Sequence, residues 1–337
     1  MKIVEPSATL MRGGYESSSE FYTPERFIEL VGRNCYKSEG KITQGSAIDF
    51  VSKLIDRKHE AMIEHWSLIF EVEDQVTYNV IKSHWEEAHA YWEYEGGFDP
   101  DDGFVPKLRF TDDDIHKHYV VSANIRSWRC FAKLHERHGG TIPFYMSEIV
   151  ECAPVFFADL QCYKAAPVDP NYRWLKQITV NDLISDFEHL VHHDMTVRFI
   201  CNRGVTHEMV RHREASYAQE STRYCNYSKG QFGEEITVVR PGWCEEGSAP
   251  YEVWRRGCQM DEDRYMTLLD AGVSPQDARD VLNHSLKADI IVTGNMAHWL
   301  HFESLRCSPG AHPRMREVAI MARGIRKSVW CPAVENK

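Results

Sequence analysis

Residues 211–224 read RHREASYAQESTRY, which places Arg211, His212, Arg213, Ser216, Ser221, Arg223 and Tyr224 within one short segment. Arginine offers a planar, permanently charged fork that matches a phosphate or an imide edge, and serine adds a short donor where a backbone must come close. The segment therefore has the chemistry of an anion site. A second concentration of positive charge lies further on, where Arg306, Arg314, Arg316, Arg323 and Arg326 face one carboxylate, Glu317. Both islands sit in a chain of 39 basic and 50 acidic residues with a net charge of −11, which as a whole repels phosphates. Local islands of this kind suit small anionic ligands better than a nucleic-acid track, which needs a broad basic face. A pair of solvated helix ends would give the same composition.

Positioning these residues requires a framework, and 337 residues of which 43% are hydrophobic can bury one large core or two smaller ones. The opening MKIVEPSATLMRGG lacks the apolar run of a signal peptide, and no stretch approaches the length that spans a bilayer. Ten cysteines without a CxxC pair or finger spacing suit reduced thiols in a cytoplasm, most of them small core residues. Thr23-Pro24 opens a helix, and a second is expected over 47–58. Alternation of Leu68, Phe70 and Val72 predicts a strand over 66–73, and Val197, Phe199 and Cys201 predict another over 195–201. Gly204 is then expected to break the chain and Thr206 to cap a short helix that ends at Arg211. The C-terminal third reads as helical over 251–269, from Ser274-Pro275 to Arg279, over 286–305 and over 312–329.

The region 75–193 differs in composition, with clusters of aromatic and acidic residues (Trp85, Glu86, Glu87, Tyr91, Trp92, Tyr94) and the loop Asp99-Pro100-Asp101-Asp102. It reads as an inserted lobe, dividing the chain into an N-terminal part of the core (1–74), the lobe (75–193) and a binding core with C-terminal helices (194–337). One internal echo stands out: Asn124, Trp128 and Phe131 have the spacing of Asn295, Trp299 and Phe302. Duplication of a helical element or two amphipathic helices with similar core faces would each produce it.

These residues together resemble the flavin-dependent thymidylate synthases, whose hallmark is RHRxxSxNExSxRY. HEAMIEH (59–65) is similar to that family's HExxxEH element, and AGVSPQDAR followed by GNMAHWLHFESLR is similar to its C-terminal helices. The likeness covers about 23–74 and 195–332. It implies an α+β fold with a central sheet and packed helices, assembled as a homotetramer whose active sites draw on several subunits. It also implies a methyltransferase that converts dUMP to dTMP, with FAD as cofactor and methylenetetrahydrofolate and NADPH as co-substrates. No metal, nucleic acid or membrane enters that reading. No side-chain nucleophile is required by it, because the cofactor carries the difficult chemistry.

By position, the resemblance assigns Arg211, His212 and Arg213 to FAD, with His59 near the flavin and folate, and Asn295 and His301 at flavin contacts. Ser221, Thr222 and Arg223 line the nucleotide site, with Arg211 beside it, and Arg279 reaches the phosphate. Arg306 corresponds to the catalytic arginine that pairs with the uracil edge and favours ionisation at N3, where a fixed positive charge stabilises developing negative charge. Departures fall in the same shells. Ala218 and Gln219 stand where the hallmark has Asn and Glu, at a point shared by nucleotide and cofactor; Glu208 stands where relatives can have glutamine beside the nucleotide. Ala61 replaces a serine or threonine that can touch FAD, and Ala297 a residue that is often arginine. Glu220 or Glu208 is expected to restore a counter-charge for Arg211, Arg213 and Arg223, unless ligand phosphates do so. Such changes leave room for another pyrimidine monophosphate such as UMP.

Two other classes use the same residues. A metalloenzyme would draw on His59, Glu64, His65, His192 and His193, but HEAMIEH lacks the HExxH register that puts two ligands on one helical face. A non-catalytic nucleotide- or RNA-binding module would use the same arginines without flavin.

Overall fold

The computed structural model describes residues 1–13, 23–95, 106–137, 143–160 and 173–332; the Asp99-Pro100-Asp101-Asp102 loop and the side chains of Tyr91, Trp92 and Tyr94 lie outside them. Among the described residues the strands are β1 (Lys2–Val4), β2 (Ser7–Arg12), β3 (Ser67–Val72), β4 (Arg109–Asp113), β5 (His118–Asn124), β6 (Leu175–Ile178), β7 (Asp194–Asn202), β8 (Ser216–Gln219), β9 (Thr237–Val239) and β10 (Lys287–Asn295). Helices accompany them throughout, so the class is α+β. The chain divides into two compact units, one made of Met1–Gly14, Leu30–Lys41 and Met195–Cys331, the other of Tyr15–Glu29, Ile42–Asp194 and Pro332–Lys337.

The first unit holds a four-stranded sheet in the order β2-β7-β10-β8 and a small parallel pair, β1-β9. β10 runs antiparallel to β8 from Ile290↔Gln219 to Thr293↔Ser216, which seats the middle of the Arg211–Tyr224 segment on the sheet edge. The expected helix over 286–305 is therefore two elements: β10, then the helix Met296–Arg306. Ile290, Ile291, Val292 and Thr293 are β-branched and buried, and such side chains favour a pleated surface. Asn295 then starts the helix, its Oδ1 accepting the His298 amide at 2.9 Å. The helix after β7 also starts earlier than expected. Asn202, not Thr206, caps Arg203–Met209 by accepting the Val205 amide at 2.9 Å, and Gly204 lies inside the helix. The Thr206 hydroxyl turns back to the Arg203 carbonyl at 3.0 Å, the usual outlet for a threonine within a helix.

The second unit holds a sheet in the order β4-β5-β3-β6 with every pairing antiparallel. β3 shows little of the expected one-sided alternation, because Leu68, Phe70 and Val72 face one apolar cluster while Ile69 joins Val120, Ile178 and Leu183 in another. The helices Gln75–Glu95 and Ile125–Arg137 cover the larger cluster, with Trp128, Phe131, Tyr145 and Phe156 wholly buried.

The sequence echo corresponds to a repeated local structure, one copy in each unit. β5 leads into Ile125–Arg137 as β10 leads into Met296–Arg306. Asn124 accepts the Ser127 amide at 2.8 Å, matching the Asn295 cap. Trp128 and Trp299 are 0% and 1% exposed, Phe131 and Phe302 0% and 2%. Asparagine is a preferred helix N-cap, so two helices with similar core faces produce this pattern as readily as duplication does.

Candidate functional site

The Arg211–Tyr224 segment begins in the turn that leaves Arg203–Met209 and continues through β8 into a second turn at 220–225. The Tyr217 hydroxyl pins the first turn, lying 2.6 Å from the His212 carbonyl and 2.9 Å from that of Met209. His212 is buried against Phe302, with ring centroids 5.0 Å apart, and lies 6.4 and 6.3 Å from the rings of His298 and His301. Arg306 Nε donates to His212 Nε2 at 2.8 Å. Burial, reinforced by the Arg306 charge and by His301, pushes His212 down to about 4, so its ring is neutral near pH 7 and Nε2 is an acceptor. Arg306 also donates from NH1 to Glu208 Oε2 at 2.9 Å, so one guanidinium bridges the histidine and a carboxylate.

Close packing supports this corner: a Cβ on Gly294 would sit 2.5 Å from His298 Cδ2. His301 and Ala297 are exposed on the same helix. A cavity of about 380 Å³ opens beside Glu208, lined also by His207, His284, His312, Arg314 and Trp243.

Arg211, Arg213 and Arg223 are exposed. Among the described residues Arg211 and Arg213 make no side-chain ion pair, and the Arg223 guanidinium lies 5.6 Å from the Tyr224 ring centroid. The following turn gathers the remaining candidates. Arg279 NH1 donates to Thr222 Oγ1 at 3.2 Å, and the Ser221 amide donates to the Cys35 carbonyl at 3.0 Å. Gln219 Nε2 donates to Thr206 Oγ1 at 3.2 Å.

The expected counter-charge role of Glu220 and Glu208 does not hold. Glu220 is buried and accepts from Lys287 Nζ at 2.5 Å, with Lys37 Nζ at 3.6 Å, while Glu208 is engaged by Arg306. The physical reason is that Arg211, Arg213 and Arg223 stand in water, where an arginine needs no protein counter-ion. The second basic island also resolves unevenly. Arg326 is 0% exposed and forks onto both Glu303 carboxylate oxygens at 2.9 and 2.8 Å, so it is part of the core. Arg314 pairs with Glu317 at 2.8 Å, and Arg316 donates to the Cys307 carbonyl at 3.2 Å. Arg306 is the member that meets the Arg211–Tyr224 segment.

Sequence reasoning missed Lys37, Arg198, Lys287 and Asp289, which surround the second turn. Arg198 Nε donates to Asp289 Oδ1 at 2.9 Å, and Lys37 Nζ to Asp289 Oδ2 at 2.6 Å. No spacing could have disclosed them, since Lys37 and Asp289 are 252 positions apart. For Arg198, Lys287 and Asp289 the one signal was charge within strands that are largely apolar; Lys37, just past a helix end, gave none.

His59 and Ala61 belong to the second unit, exposed at the start of the 3-10 helix Glu60–His65. Arg126 NH1 donates to Glu64 Oε1 at 2.6 Å in that element. Of the histidines that a metalloenzyme would draw on, His192 lies between Thr111 Oγ1 at 2.9 Å and Ser122 Oγ at 2.7 Å, and His193 meets His189 Nδ1 at 3.1 Å. Among the described residues no group of three or more His, Cys, Asp or Glu is placed to hold a metal ion, and no helix is long and apolar enough to cross a membrane. Burial pushes the Cys35, Cys201 and Cys225 thiols up to about 12, so none of them is a thiolate nucleophile near neutral pH.

Residues 153–332 match the profile of the family described as thymidylate synthase complementing protein. That range contains the whole Arg211–Tyr224 segment and Arg306 and leaves HEAMIEH outside. The chain is 33% identical over 133 residues to the flavin-dependent thymidylate synthase of Geobacter sulfurreducens, covering 38% of this chain and 56% of that protein. It is 37% identical over 119 residues to that of Pyrococcus furiosus, covering 35% and 48%. With that of Corynebacterium glutamicum it shares 31% over 189 residues, covering 50% and 72%. The chain thus spans about half the length of the first two of these relatives.

Proposed function

Because the chain belongs to the thymidylate synthase complementing protein family, we propose that it is a flavin-dependent methyltransferase that converts dUMP to dTMP. The observation that carries this reading is the contact of Arg306 with His212 at 2.8 Å, which joins the segment assigned to the cofactor to the arginine assigned to the pyrimidine. FAD, when bound, supplies the hydride chemistry that reduces the transferred carbon, which methylenetetrahydrofolate provides and NADPH ultimately pays for in electrons.

The residues fit such a cofactor. Arg211 and Arg213 are exposed forks without ion pairs among the described residues, the state in which arginine meets a pyrophosphate bidentately. His212 is neutral, so it can face a flavin ring without adding charge. The family resemblance also assigns Asn295, His301, His59, Ala61 and Ala297 to the cofactor, with Gln219 at the junction of cofactor and nucleotide. Ser221, Thr222 and Arg223, with Arg279 held on Thr222, form the phosphate side of the dUMP site, Glu208 and Arg211 border it, and the buried Glu220 supports it from behind.

Arg306 acts on the uracil. Its guanidinium keeps a positive charge at the ring edge, favouring ionisation at N3 and a nucleophilic C5. Glu208 competes for the same guanidinium at 2.9 Å and so orients the fork while tempering its charge. Glutamate at this position can also accept from a pyrimidine N–H, which a glutamine carbonyl would do without the negative charge. The protein acts in the cytoplasm as a homotetramer, with dUMP and the folate as its partners and without nucleic acid.

The test is turnover by the full chain with methylenetetrahydrofolate and NADPH, offered dUMP, UMP or dCMP. Formation of dTMP from dUMP is expected. A flavin-free protein that binds nucleotide without turnover would replace this reading with the non-catalytic one, and methylation of UMP alone would move the substrate class.

A further inference from the structure

The helix Pro24–Tyr36 ends in a left-handed residue that is not glycine. Lys37 has φ of 47°, with its own amide on the Asn34 carbonyl at 3.4 Å and the Ser38 amide on the Arg33 carbonyl at 3.1 Å. This is a Schellman ending, where glycine is the usual occupant because a side chain makes the left-handed conformation unfavourable. Something must hold lysine there, and its ammonium shows what. Lys37 Nζ lies 2.6 Å from Asp289 Oδ2, 3.1 Å from Asn34 Oδ1 and 3.6 Å from Glu220 Oε2, with Glu39 at 3.7 Å.

The two buried carboxylates have other anchors. Asp289 on β10 takes both arms of Arg198 from β7, at 2.9 and 2.5 Å, and Glu220 takes Lys287 at 2.5 Å. Their backbones are joined as well, since the Glu220 amide donates to the Asp289 carbonyl at 2.8 Å. Lys37 is the group that ties this sheet-borne pair to the helix end, and the neighbouring Cys35 carbonyl accepts the Ser221 amide at 3.0 Å. The Glu220 side chain and the Ser221 amide are thus committed within the protein, while the Arg223 guanidinium is exposed and the Ser221 hydroxyl accepts the Arg223 amide at 3.4 Å.

We propose that Lys37 is a positioning residue for the nucleotide phosphate: its ammonium, held in the strained helix end, locks Glu220 against Asp289. It thereby fixes the backbone from which Ser221, Thr222 and Arg223 present their donors. The inference rests on the reading of those three residues as the phosphate side of a dUMP site. It also explains why a buried carboxylate occupies position 220: truncating one partner of such a network leaves charge uncompensated, so the turn cannot drift without a large cost.

The test compares the full-length protein with Lys37→Met, Lys37→Gly and Lys37→Arg, measuring dUMP affinity by calorimetry, KM and kcat, flavin content and melting temperature. Lys37→Gly suits the left-handed backbone and therefore folds even if Lys37→Met does not. Loss of the ammonium is expected to weaken dUMP binding and raise KM about tenfold, the effect of roughly 1.4 kcal/mol. kcat and flavin content should stay near wild type, and Lys37→Arg, which keeps the charge, should recover most of the affinity. Wild-type dUMP affinity in Lys37→Gly, whatever its melting temperature, would overturn the proposal and leave a structural ion pair. A wild-type protein that does not bind dUMP would instead remove the functional reading and this inference with it.

Discussion

The two copies of the strand, asparagine cap and helix differ in what their helices do with charge. In Ile125–Arg137, Arg129 is 0% exposed and bonds Glu60 at 3.0 Å, Asp159 at 2.7 and 2.9 Å and the Phe156 carbonyl, while Lys133 reaches Glu60 at 2.7 Å and Arg126 reaches Glu64. Burial alone would raise the Glu60 carboxyl, but Arg129 and Lys133 hold it below its ordinary value. In Met296–Arg306 the closure is only partial: Glu303 is buried under the Arg326 fork, but Ala297 and His301 are exposed, and Arg306 shares its fork between a neutral histidine and one carboxylate. The same scaffold thus serves once as a closed ion network and once as a half-open site. Cations buried in closed carboxylate networks are structural; cations that stay exposed or only partly paired are available to ligands.

The largest effect expected from this contrast is in the closed copy. Arg129→Ala should cost about 3–5 kcal/mol of stability, because Glu60 and Asp159 would lose the guanidinium between them. Denaturant unfolding followed by circular dichroism measures it, and a cost below about 1 kcal/mol would place Arg129 with exposed surface pairs. In the half-open copy the effect should move from stability to chemistry. Arg306→Ala should lower dTMP formation roughly a hundredfold, about 3 kcal/mol in the barrier, with bound FAD still oxidising NADPH. Wild-type turnover in that variant would show Arg306 to be another structural cation.

A smaller effect concerns pH. His212 falls to about 4 and His192 to about 3, in both cases chiefly through burial, from an ordinary 6.5. A depressed folded-state value means that this stability is fully present above about 6.5 and is lost as pH falls towards about 4 for His212 and about 3 for His192, because the unfolded chain takes up protons that the native rings refuse. Melting temperature should therefore fall over that window, and His192→Asn should flatten the fall. An unchanged slope in the variant would mean that His192 takes up its proton in the folded protein at an ordinary pH.

Much of the site was legible because its residues are contiguous. RHREASYAQESTRY announces a donor-rich segment, and Arg279 and Arg306, distant in sequence, were reached through the family resemblance and then met Thr222 and His212 in space. What stayed hidden was tertiary. Glu220 looked like a partner for neighbouring arginines, and its partners Lys37 and Lys287 come from a helix end and a strand. The fold was legible where turn chemistry was local, as at Thr23-Pro24 and Ser274-Pro275, and misread where one apolar run continued from strand into helix. Over 286–305 hydrophobicity alone does not separate Ile290-Ile291-Val292 from Trp299 and Phe302; β-branching and the asparagine cap do.

The central claim is that Arg211 and Arg213 hold a flavin, and bound flavin in the full-length protein tests it most directly. The purified wild type should show a flavin spectrum, with FAD released on denaturation. Arg211→Ala combined with Arg213→Ala should strip it, while the flavin-free proteins should differ in stability by no more than about 0.5 kcal/mol, as expected for exposed surface residues. Full FAD occupancy and affinity in the double variant would contradict the account.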